Sequence, residues 1–168
     1  MAIEADIMST AKAITGGYAA LGASTVTQDI ADTLPIFSHL QTYQGHPASC
    51  AASLATIDYI ENHSLIKTGK ENGKYFLEQM QRLRDLSIVG DVRGLGMWTC
   101  VDFTANKKTR EPFKDDTVKR IVHRARDMGV LVGEEGTAIE LAPPYIATRE
   151  QLDTCVDTLE KAIFAEIN

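Results

Sequence analysis

Between Gly69 and Leu86 the apolar residues Tyr75, Phe76, Leu77, Met80 and Leu83 recur at helical spacing with charges between them, which predicts an amphipathic helix. Upstream, Cys50, Leu54, Ile57 and Ile60 stand about one helical turn apart behind Pro47, a residue suited to the first helical position. This earlier helix has an alanine-rich face that suits close approach by another helix. From residue 88 the period changes to that of strands, one on each side of Gly94-Leu95-Gly96. The second runs from Met97 to Phe103 and mixes aromatic and β-branched residues. A helix over 115–128 turns Val118, Ile121, Val122 and Ala125 inward and ends at Gly129. Short apolar runs at 130–132 and 138–141 predict two more strands around a Gly-Glu-Glu-Gly turn. Thr148-Arg149-Glu150-Gln151 has the form of a capping box, and Leu152, Val156, Leu159 and Ile163 follow at helical spacing.

The first 46 residues are richer in Ala, Gly, Ser and Thr. Leu21–Val26 reads as a short buried strand, Gln28–Leu34 as one or two helical turns stopped by Pro35, and 35–46 as loop. No element is expected ahead of Lys12. Three stretches result: 1–46, a piece of a sheet whose other strands lie elsewhere; 47–86, connecting helices; and 87–168, a ββαββα layer. That last stretch is an α+β arrangement, a small and mostly antiparallel sheet with helices on one face.

Composition narrows the class. Of 168 residues, 44% are hydrophobic and 24% charged, as in a folded globular chain. The net charge of −6 argues against non-specific nucleic-acid binding. No apolar run is long enough to span a bilayer, and the first residues carry no basic segment of a secretory signal. Cys50, Cys100 and Cys155 are odd in number and widely spaced, which suits reduced thiols in a cytoplasmic protein. No CxxC or HxxxH spacing supports a metal site.

Lys12 is the only Lys or Arg in the first 66 residues. It stands in Ala11-Lys12-Ala13-Ile14, just ahead of Gly16-Gly17. An amine among apolar neighbours without a carboxylate partner is poorly hydrated as a cation, which favours a nucleophile. An ordinary loop lysine is the alternative. "QTYQGHPASCAA", Gln41–Ala52, combines hydroxyls with a Pro-led helix start, and either an anion-binding turn or a simple cap accounts for it. His46 is a general base, or an orienting or packing residue. "VRGLGMW" lacks the third glycine of a dinucleotide-binding turn and reads as a tight strand connection. "LAPPY" reads as a rigid extended corner.

Taken in order, "DIMSTAKAITGGYAALGA", "TYQGHPASCAASLATID", "VRGLGM" and "LAPPYIATREQLD" resemble the class III pyridoxal-phosphate aminotransferases, among them the ornithine, 4-aminobutyrate and ω-amino acid:pyruvate transaminases. The match is colinear over the whole chain. The resemblance implies an α/β fold of the PLP-transferase type (fold type I): residues 1–46 end the large cofactor domain, and 87–168 form the small C-terminal domain. It makes Lys12 the catalytic residue, which binds pyridoxal 5'-phosphate as a Schiff base and then shuttles protons. It makes Thr42 a ligand of the cofactor phosphate of the neighbouring subunit, so a homodimer with shared active sites is expected, or else a complementing N-terminal chain. Gly45, His46 and Pro47 shape that motif. Tyr18 and Glu140 fall near the substrate.

Two departures qualify this. Where several members place an arginine for the substrate carboxylate, this chain has Glu140, which favours the broad amine:pyruvate branch and suits an amine or a distal cation. The family's upstream aspartate, stacking aromatic ring and Gly/Ser phosphate turn do not precede Lys12. The implied reaction transfers an amino group from an amine or ω-amino acid to a keto acid such as pyruvate or 2-oxoglutarate, and the chain by itself is expected to be incomplete and inactive. Alternatives are a non-catalytic dimerisation or interaction module, half of a split enzyme, or a racemase, aminomutase or decarboxylase on the same scaffold.

Overall fold

Gly96 opens a two-residue hairpin loop with φ of +59°, a conformation that favours glycine over residues with a Cβ. On either side of it, β3 (Val89–Leu95) and β4 (Trp98–Phe103) pair antiparallel, with Leu95 opposite Trp98 and Val92 opposite Val101. The computed structural model describes residues 4–34, 36 and 39–167. Among these, β6 (Ala138–Leu141) adds to the free edge of β4 and β5 (Gly133–Glu135) adds to β6, giving the order β3-β4-β6-β5. Every pairing is antiparallel.

One face of this sheet is apolar and buried: Val89, Val92, Val101, Phe103, Ile139 and Leu141. Three helices supply most of the rest of the core. Phe76 and Met80 come from α3 (Leu65–Met80), Ile121 and Ala125 from α4 (Thr117–Asp127), and Leu152, Val156, Leu159 and Ile163 from α5 (Arg149–Ile167). Each large side chain removed from water in this way stabilises the fold by about 1.5–3 kcal/mol. The expected ββαββα layer is present. Both reciprocal bonds of the capping box form at the head of α5, from the Thr148 N–H to Gln151 Oε1 at 2.9 Å and from the Gln151 N–H to Thr148 Oγ1 at 3.2 Å.

Two elements differ from the sequence expectation. The helix expected from Gly69 begins at Leu65 and tightens into a 3₁₀ turn over Gln81–Asp85, with Leu83 buried. Its internal glycines are there for contact: a Cβ on Gly69 would meet the Tyr145 ring at 2.8 Å. The strand expected at 130–132 is shifted to 133–135, inside the expected turn. The Val130 N–H is taken by the Ala125 carbonyl at the end of α4, and the Gly136-Thr137 loop sets the pairing of Glu135 with Ala138. Turn geometry, not the apolar run, fixes the register.

The chain divides into two compact units, 1–64 and 65–168. In the first, β1 (Ile7–Ala11) pairs antiparallel with β2 (Gly22–Val26), followed by the short α1 (Gln28–Ala31) and the longer α2 (Pro47–Asn62). Strand β1 was not expected from the sequence. Strand β2, expected to be buried, is largely exposed. Pro35, read as a helix stop, lies outside the described residues. Helix α2 does start at Pro47, but its packed face is the small one. Ser49 and Ser53 are buried, while Leu54 and Ile57 of the apolar stripe are exposed. No helix is long and apolar enough to cross a membrane among the described residues.

Candidate functional site

Strand β1 delivers the chain directly into a 3₁₀ turn, Lys12–Thr15, and Lys12 enters that turn with φ of +59°. A lysine in left-handed backbone costs on the order of 1 kcal/mol and persists only where its surroundings hold it. Gly16 and Gly17 follow at φ of +61° and +84°, so the glycine pair completes a run that reverses the chain toward β2. The Gly16 N–H donates to the Ala13 carbonyl at 2.9 Å and the Tyr18 N–H to the Thr15 carbonyl at 3.1 Å. Helix α2 packs behind this turn. A Cβ on Gly16 would lie 3.2 Å from Thr56 Oγ1 on α2.

The Lys12 side chain is exposed in this unit, not enclosed by the small neighbours that flank it in sequence. It makes no ion pair with any carboxylate among the described residues. Tyr18, on the same turn, is 91% exposed.

Thr42 lies in an exposed turn over 42–45, with Gly45 at φ of +68°, directly ahead of α2. The N-terminus of that helix is already capped. His46 Nδ1 accepts from the Ser49 N–H at 3.4 Å, Pro47 has no N–H, and the Cys50 N–H donates to the His46 carbonyl. His46 is therefore the helix cap, and the N–H groups of the first helical turn are mostly spent. Any anion bound here would be held chiefly by the Thr42 turn.

Glu140 belongs to the second unit. It sits on β6 opposite Cys100 and Gly133, on the face of the sheet away from the core. With Arg93, Leu95, Trp98 and Cys100 it lines a shallow cavity of about 360 Å³. Arg93 is engaged by Asp102 at 3.3 Å and Asp91 at 3.5 Å. Burial pushes the Cys100 thiol up, with Arg93 opposing, which disfavours the thiolate. The three cysteines are free, and no cluster of metal-ligating side chains occurs among the described residues.

A buried hydroxyl in the lysine turn, that of Thr15, was not singled out from the sequence. Its only signal there is a threonine three residues after Lys12, a spacing common in ordinary turns.

The family model for class-III aminotransferases matches residues 1–163. The adenosylmethionine-8-amino-7-oxononanoate aminotransferase of Geobacter sulfurreducens is 35% identical over 170 residues, which cover 96% of this chain and 38% of that protein. The leucine/methionine racemase of Thermococcus litoralis is 32% identical over 163 residues, covering 96% and 36%. An amine transaminase from an uncultivated Pseudomonas species, solved in its PLP-bound form, matches with a TM-score of 0.90 at 38% identity, over 95% of this chain and 38% of that one. The chain belongs to the class-III aminotransferases, a family of pyridoxal-phosphate enzymes, and has their fold. It spans well under half the length of these relatives.

Proposed function

We propose that this chain carries the lysine and phosphate-binding elements of a pyridoxal-phosphate aminotransferase, which moves an amino group from an amine or ω-amino acid to a keto acid such as pyruvate or 2-oxoglutarate. The observation that carries the reading is Lys12: an amine without a carboxylate partner among the described residues, held on a strained turn that opens straight off a strand. The residues present fit the cofactor at two points, an amine for its aldehyde at Lys12 and an exposed hydroxyl for its phosphate at Thr42. When bound, the cofactor supplies the electron sink that makes the amino-bearing carbon acidic. Lys12 is the Schiff-base lysine and moves the proton at that carbon. Thr42 binds the phosphate belonging to the neighbouring subunit, so the working assembly is a homodimer with shared sites, or a pairing with a complementing N-terminal chain.

Glu140 repels a substrate carboxylate by charge and suits an amine or a distal cation, which points to the amine:pyruvate branch. Tyr18 stands near the substrate, on the same turn as the lysine. The pocket is completed by residues beyond these 168, and the isolated chain is inactive. A cytoplasmic location fits the three free thiols.

The test is to load the protein as it occurs in its source with pyridoxal phosphate, reduce with borohydride and map the adduct by mass spectrometry. A mapped adduct on Lys12, with keto-acid-dependent loss of amine, is the expected result. No adduct would leave an interaction or dimerisation module, a role favoured by the exposed Ile7, Met8, Leu54 and Ile57 of the first unit. An adduct with interconversion of amino-acid enantiomers and no keto-acid requirement would indicate a racemase, the activity named for the Thermococcus litoralis relative.

A further inference from the structure

Thr15 has no exposed surface, and among the described residues of the first unit only Ser49 and Ser53 are also buried. No buried apolar side chain occurs among the described residues of this unit, and the Thr15 hydroxyl is spent on hydrogen bonds. The hydroxyl donates to the Ala19 carbonyl at 2.5 Å and lies 3.4 Å from the Lys12 carbonyl. A hydroxyl carries one proton, so the short contact is the bond and the long one a weaker shared branch. These two acceptors are the first and last residues of the segment 12–19, which contains the left-handed Lys12, Gly16 and Gly17. The Thr15 carbonyl meanwhile accepts the Tyr18 N–H. One side chain thus ties the start of the lysine turn to its end.

We infer that Thr15 is the positioning residue for Lys12: its hydroxyl holds the turn closed and so fixes the direction in which the Lys12 amine leaves the backbone. The inference rests on the reading of Lys12 as the Schiff-base lysine. A proton-transfer group must keep its geometry closely, since a displacement of about 1 Å can lower the rate by roughly a hundredfold. The small residues on either side of Lys12 supply no packing to replace the bond if it is lost.

The test uses the protein as it occurs in its source, loaded with pyridoxal phosphate, and compares Thr15→Val with Thr15→Ser. Three quantities are read: the borohydride-fixed adduct on Lys12, the pH midpoint at which absorption of the lysine-linked cofactor changes, and kcat separately from KM. In Thr15→Val, Lys12 is still labelled, the midpoint moves by about half a pH unit or more, and kcat falls about tenfold or more with KM nearly unchanged. Thr15→Ser, which keeps the hydroxyl, restores both the midpoint and kcat. Thr15→Ala, which adds no bulk, takes the place of valine if that variant does not fold. A folded, labelled Thr15→Val or Thr15→Ala with wild-type midpoint and kcat overturns the inference, and so does a Thr15→Ser as impaired as the valine variant. Absence of any adduct on Lys12 in the wild-type protein instead removes the reading of Lys12 itself, and the inference with it.

Discussion

A Cβ on Gly73 would stand 2.3 Å from both the carbonyl carbon and the carbonyl oxygen of Gly96. Helix α3 therefore lies directly on the tip of the β3–β4 hairpin, with no side chain between them. The obstacle is backbone on a tight turn and cannot rotate away as a side chain would. Gly73→Ala gains about 1 kcal/mol of helix propensity but forces helix and hairpin apart, for a net loss of about 2–3 kcal/mol. A lower urea midpoint with an unchanged m-value is the expected result. An unchanged or higher midpoint would show that the contact is looser than its geometry.

Glu166 on α5 has a side chain only 6% exposed and takes hydrogen bonds from Arg120 at 2.7 Å and Arg124 at 2.9 Å on α4. Burial pushes its carboxyl up, but the two guanidinium groups outweigh burial and hold it below the ordinary glutamate value of 4.5. A depressed folded-state pKa stabilises the fold above the unfolded value, and that contribution is lost as pH falls through the folded value. Glu166→Gln is expected to lose roughly 1–2 kcal/mol at pH 7. Its stability should also fall less steeply than that of the wild type below about pH 4.5. Parallel melting curves across that range would exclude the coupling.

Thr148→Ala removes the hydroxyl that accepts the Gln151 N–H and should destabilise the chain by about 1 kcal/mol. Thr148→Ser should recover most of the loss. Thermal melts of the three proteins settle the point, and equal melting temperatures would mean that water replaces the cap at no cost.

On the proposed reading, Thr42→Ala weakens cofactor binding by about tenfold or more, the worth of one hydrogen bond to a charged phosphate. Fluorescence titration with pyridoxal phosphate measures it, and adding inorganic phosphate should compete less well with the variant. Because His46 rather than Thr42 caps α2, helix content should not change. A fall in helical circular dichroism along with affinity would mean that the threonine supports the helix and not the cofactor.

How far the sequence could be read followed the range of each interaction. Helices α4 and α5 were legible because their stripes and caps lie within a few residues: Val118 and Ile121, or Thr148 and Gln151. Strand β5 was misplaced because its pairing is set by the Gly136-Thr137 loop and by an N–H claimed by Ala125, neither of which follows from an apolar run. Strand β1 escaped notice because Ser9 and Thr10 break any apolar alternation and its partner strand is exposed. Lys12 stood out by its isolation and by the motif around it. Its backbone angle and its link to Thr15 depend on the folded path of the turn, and "AKAIT" gives no sign of either. The cap role of His46 was not among those read from the sequence, and it rests on the 3.4 Å contact to the Ser49 N–H.

The absence of a buried apolar side chain among the described residues of the first unit sets how its amides meet solvent. Local opening there exposes almost no new hydrocarbon surface, so little opposes it, whereas opening β4 breaks the centre of the sheet beneath three helices. In heavy water the chain should therefore keep two times. Amides of β1 and β2 should gain deuterium early, and those of β4 only when the whole second unit comes apart. A protease added at that stage would trim the chain from its lysine-bearing end and leave the sheet and its helices behind.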